Sequence, residues 1–124
     1  MNKLILSSLN HTWLFDLDGT IVKHNGYKID GCDTLIKGAE EFLKSIPNGD
    51  MVVFITSRTD EYRGLTERFL VEHGIRYDHI IYNAPFGERI LFNDRKPSGL
   101  ETALAVNLER DEEIRLNISI DESR

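Results

Sequence analysis

"WLFDLDGTIV" (13–22) ends an apolar run in two aspartates, Asp16 and Asp18, and turns at once on Gly19 and Thr20. Carboxylates one residue apart repel each other, so a cation or a shared proton is needed nearby. Asp-x-Asp before a turn is often only turn chemistry, because Asp favours such positions. Here a short run of large apolar side chains precedes the pair, and Gly-Thr-Ile-Val follows it. That context reads as a buried strand with a reactive carboxyl end.

Working outward, other apolar runs take the same form. "TWLFD" (12–16), "MVVFIT" (51–56), "HIIYN" (79–83) and "RILFND" (89–94) read as strands, and "RLNISI" (115–120) alternates like an edge strand. Between them lie helical stripes at 33–46, 60–74 and 96–110, the second stopping at Gly74 as a C′ glycine. Continuous apolar strands alternating with helices predict an α/β fold: a Rossmann-like, doubly wound three-layer sandwich with a mainly parallel sheet of about five strands. No repeat, low-complexity tract or linker interrupts it, so residues 1–124 are expected to form a single domain.

Composition narrows the function. The chain has 124 residues, 40% of them hydrophobic, enough for a real core. The formal charge is −6 with no dense Lys/Arg cluster, which predicts no nucleic-acid partner. "ERDEEIR" (109–115) mixes both signs and reads as a solvated helix end or turn. No apolar run approaches a membrane span, and "LILSSL" (4–9) lacks the features of a secretory signal, so the expected compartment is the cytoplasm. The sequons at Asn10 and Asn117 are then chance matches. Cys32 is the one cysteine, and with no His partner nearby it reads as a small half-buried side chain or a spare surface thiol and not as a nucleophile. The four histidines have no metal-ligand spacing.

Ligands of open parallel sheets bind beyond the carboxyl ends of the strands. There the sequence offers Asp16 and Asp18, then Thr56, Ser57 and Arg58, then Asn93, Asp94, Arg95 and Lys96. Oxygen ligands without His or Cys suit Mg²⁺. A hydroxyl and backbone N–H groups at a strand-to-helix turn suit a phosphate oxygen. Together these are the parts of a phosphoryl-transfer site.

At these positions the chain resembles the haloacid dehalogenase-like superfamily. "DLDGTIV" is similar to its first motif, "VVFITSR" to its second and "ILFNDRK" to its fourth, in the right order along nearly the whole chain. Most members are Mg²⁺-dependent phosphatases. The resemblance implies that Asp16 is the nucleophile, forming an aspartyl-phosphate, and Asp18 the general acid and base. It implies that Asp16, Asp18 through its backbone carbonyl, and Asp94 hold Mg²⁺, and that Thr56, with Ser57, binds the phosphoryl group. Family members carry a third-motif lysine, and no lysine lies between Arg58 and Asp94. Lys96 is the substitute candidate for phosphate binding, with Arg89 the weaker one. Ser98 stands where a second acid of the fourth motif often lies.

Bland readings stand beside these roles. Thr56 or Ser57 could cap the next helix. Arg58 is either a substrate-binding clamp or a surface residue, and Lys96 could be a solvated loop lysine. No stretch has room for a cap domain. Capless members act on large substrates or borrow a neighbouring subunit, which leaves a homo-oligomer open. The expected substrate is a phosphate ester, with sugar phosphates and nucleotide sugars among the options. The alternatives are a phosphotransferase of the same superfamily and a non-catalytic phosphate- or metal-binding regulatory domain.

Overall fold

Three of the expected strands lie side by side in one parallel sheet. The computed structural model describes residues 2–124. In chain order its elements are β1 (Asn2–Leu6), β2 (Thr12–Phe15), the single-turn α1 (Gly26–Ile29), α2 (Ala39–Ser45), β3 (Met51–Ile55), a 3₁₀ turn (Asp60–Tyr62), α3 (Arg63–Glu72), β4 (His79–Ile81) and β5 (Leu116–Ile120). The chain divides into two compact units, residues 10–85 with 108–114, and residues 2–9, 86–107 and 115–124.

The larger unit holds the sheet β2-β3-β4. Phe15 pairs opposite Phe54, and Ile55 opposite Ile81. β3 is central, which is why Val52, Val53 and Phe54 are all buried. Each crossover carries a helix, as parallel neighbours require. Leu17, Ile21, Val22, Ala39, Leu43, Phe54 and Leu70 form one core cluster.

α2 and α3 are shorter than their sequence stripes. Residues 33–37 do not join α2, because the chain there pairs with 21–23: Lys23 N–H donates to Thr34 O (2.9 Å) and Ile36 N–H to Ile21 O (2.9 Å). α3 ends as expected at Gly74, whose φ of 68° lets Gly74 N–H reach Val71 O (3.0 Å) and Ile75 N–H reach Leu70 O (2.9 Å).

The smaller unit holds a second parallel sheet, β1 with β5. β5 lies where an edge strand is expected; β1 is a strand the sequence reading missed. The described strands all pair in parallel, but they form sheets of three and two, not one sheet of five. Two expected elements are absent among the described residues. Residues 89–94 form no strand and no helix covers 96–110. Ile90 and Phe92 are 79% and 91% exposed, with no neighbouring strand to take their backbone groups. A helix of this length needs a buried face to persist. Here Leu104 is exposed, and the chain from Leu108 joins the larger unit, where Asp111 N–H donates to Gly19 O (2.9 Å). Residues 109–112 accordingly form a turn. Among the described residues no helix is long and apolar enough to cross a membrane.

Candidate active site

The loop after β2 separates the paired aspartates. Leu17 O accepts from Thr20, Ile21 and Val22 N–H, which curls the chain directly behind the strand. Gly19 supplies a φ of 87°, and a Cβ there would lie 3.1 Å from the Arg110 side chain. Curling the loop sends the two carboxylates to different partners. Asp16 Oδ2 accepts from the Thr20 hydroxyl (3.2 Å). Asp18 turns to Arg58.

Arg58 follows β3, the strand next to β2, and is 4% exposed. Its Nε donates to Asp18 Oδ2 (3.1 Å) and its Nη2 to Asp18 Oδ1 (3.0 Å). Nη2 also donates to Asp33 Oδ1 (2.7 Å), while Nη1 donates to Asp33 Oδ2 (3.1 Å) and to the Thr66 hydroxyl (2.8 Å). A guanidinium has five N–H donors, and these bonds use all five. Tyr27 closes one face, its ring centroid 4.0 Å from the guanidinium carbon. Burial alone would lower the pKa of Arg58. The hydrogen bonds and charges of Asp18 and Asp33 outweigh that and raise it above its usual value. Burial also pushes the Tyr27 phenol up, reinforced by the charge of Asp18.

Arg58 thus supplies part of the positive charge that the aspartate pair needs. Its charge is shared between the Asp18 and Asp33 carboxylates. Asp16 and the Asp18 carbonyl are hard oxygen donors of the kind Mg²⁺ accepts. Among the described residues no three His, Cys, Asp or Glu side chains gather as a metal site.

The other sequence-predicted residues take these places. Thr56 is buried, and its hydroxyl accepts from Arg58 N–H (3.1 Å), a local bond that shapes the turn after β3. Ser57 donates to Pro85 O (3.3 Å). Neither caps the next helical turn, which starts behind Thr59 without a side-chain cap. Arg58 is not a surface residue, and its donors are already engaged within the protein. Asp94 and Lys96 belong to the smaller unit and are exposed. The Asp94 carbonyl accepts from the Thr102 hydroxyl, and Lys96 opens a turn closed by Gly99 N–H (2.8 Å). Cys32 is an exposed free thiol.

Sequence reading missed Asp33, Tyr27 and Thr66. Asp33 lies 25 residues from Arg58 and Thr66 lies 8, so no local spacing announces either. Tyr27 gave the one signal, a large aromatic inside the polar stretch "KHNGYKIDG" (23–31).

No protein-family model matches the chain, and no curated protein matches it. A chain in a solved structure described as "Structure of Pnkp1/Rnl/Hen1 complex" is similar, with a TM-score of 0.52 and 30% sequence identity over 67% of this chain. The chain spans about a third of that neighbour's length, the match covering 31% of it.

Proposed function

We propose that the protein is a Mg²⁺-dependent phosphatase of the haloacid dehalogenase-like type, built on a doubly wound core. The observation that carries this reading is the loop after β2, which turns Asp16 and Asp18 apart to different partners. Two carboxylates in different surroundings are suited to two different roles.

In the proposed reaction an Asp16 oxygen attacks the phosphorus of a phosphate monoester. The bond from phosphorus to the ester oxygen breaks, and the departing oxygen takes a proton from Asp18. Water then attacks the aspartyl-phosphate, Asp18 accepts the proton of that water, and inorganic phosphate leaves with Asp16 regenerated. Asp16 and the Asp18 carbonyl would hold Mg²⁺, which would supply charge neutralisation. A metal-ligand role for Asp94 and phosphate-binding roles for Thr56, Ser57 and Lys96 rest on the resemblance. Arg58 holds Asp18 and leaves the substrate to other groups. A sugar phosphate or nucleotide sugar is the substrate class proposed, with a second copy of the chain as the cap where one is needed.

One observation favours a second reading, a non-catalytic binding domain. Both oxygens of Asp18 accept from Arg58, a grip that suits a fixed carboxylate better than a proton donor. A screen of phosphate esters with Mg²⁺, repeated in excess EDTA, tests both. Phosphate release that EDTA abolishes and Mg²⁺ restores is the expected outcome. Silence on every ester, an activated aryl phosphate included, favours the binding domain.

A further inference from the structure

We infer that Asp33 is a positioning residue for Asp18, acting through Arg58. The inference rests on the phosphatase reading. The guanidinium is gripped along two edges, Nε with Nη2 by Asp18 and Nη1 with Nη2 by Asp33. Thr66 takes the remaining N–H and Tyr27 covers a face. The members differ in access. The Arg58 and Asp33 side chains are 1% and 2% exposed, and that of Asp18 is 16% exposed. Asp18 is thus the outward end of a chain whose buried end is Asp33.

Asp33 is itself fixed. It closes the loop that leaves at Lys23 and returns at Thr34, tied by the backbone bonds Lys23 to Thr34 and Ile36 to Ile21. Two consequences follow for Asp18. Its carboxylate direction is set by a guanidinium that cannot slide, because the adjoining edge, which shares Nη2, is bidentately held by Asp33. The positive charge is also divided between two carboxylates, so the hold on Asp18 is weaker than an undivided ion pair. A group that must turn from Arg58 to a leaving oxygen needs such a shared partner, because Arg58 stays paired when Asp18 lets go.

The Asp33→Asn variant tests this. An amide keeps the shape but turns an NH₂ toward a donor edge, so Arg58 loses its anchor. The leaving group supplies the readout. A poor alkyl leaving group needs a proton from Asp18 in the first step, whereas p-nitrophenolate does not; both esters share the second step, so the rate of leaving-group release in a single turnover is compared. Asp33→Asn should cut that rate on an alkyl phosphate by about 100-fold or more, yet on p-nitrophenyl phosphate by less than about 10-fold, with substrate affinity within about 2-fold. Placed in an Asp18→Asn background, it should add no further alkyl-selective loss.

Equal losses on both esters, no loss, or full additivity with Asp18→Asn would overturn the inference and leave the phosphatase reading standing. A wild-type protein silent on both esters with Mg²⁺ overturns that reading and the inference with it. Should Asp33→Asn fail to fold, Thr66→Val loosens the same guanidinium without stranding a charge. It must then show the same alkyl-selective loss, in smaller measure, and its absence overturns the inference.

Discussion

"MVVFIT" (51–56) and "RILFND" (89–94) look alike as sequences and differ completely as structure. The first is the middle strand of a parallel sheet, with Phe54 fully buried. The second is irregular, with Phe92 91% exposed. An apolar run specifies a capacity for burial, and only a neighbour on each side converts it into a strand. β2 and β4 supply those neighbours for 51–55; no described strand pairs with 89–94.

That contrast has measurable consequences. Phe54→Ala should cost about 3–5 kcal/mol of stability in urea unfolding, because it opens a cavity in the core cluster. A cost under about 1 kcal/mol would mean that the core around β3 is not packed as described.

Arg58→Ala should come close behind. It strands two carboxylates, that of Asp33 deeply buried, and breaking a buried ion pair costs about 3–5 kcal/mol. Arg58→Met, with similar bulk but no charge, should still destabilise strongly, which separates lost charge from lost packing.

Asp50 gives a smaller, pH-dependent effect. It accepts from His11 N–H (3.1 Å) and Trp13 Nε1 (3.0 Å), tying the start of β2 to the turn before β3. Burial alone would raise its pKa, but these bonds and the nearby His11 hold it lowered. A carboxylate depressed in the folded state stabilises above its unfolded pKa, and that contribution fades as the pH falls through the folded value. Asp50→Asn should therefore destabilise at neutral pH and matter progressively less below about pH 4. A constant cost across that range would contradict the assignment.

The smallest effects belong to 86–107. Phe92→Ala and Lys96→Ala should each change stability by less than about 0.5 kcal/mol, since neither side chain is buried. The phosphate-binding role proposed for Lys96 nonetheless expects Lys96→Ala to lower turnover. A loss of stability comparable to that of Phe54→Ala would show that this region is packed after all.

Much of the larger unit was legible in the sequence. β2, β3 and β4 lie where apolar runs predict them, and Gly74 stops α3 because a positive φ there lets the last carbonyls find partners. The turn after Asp16 was equally visible in Gly19 and Thr20. Arg58 was visible as a residue but not as a partner of Asp18. The cluster around it joins Asp18, Asp33, Arg58 and Thr66 from four separate stretches, and sequence spacing carries no record of such meetings. The start of α2 was obscured for a related reason, since 34–36 spend their backbone bonds on 21–23. The strand at 89–94 and the helix over 96–110 were over-read, because periodicity shows which side chains could be buried and not whether anything buries them.

Asp16 carries the central claim, and its direct test is the turnover of purified Asp16→Asn on p-nitrophenyl phosphate with saturating Mg²⁺. An amide cannot attack phosphorus, so turnover should fall by about a thousand-fold or more while the unfolding midpoint stays close to that of the wild type. Turnover near the wild-type rate in the folded variant would contradict the aspartyl-phosphate mechanism.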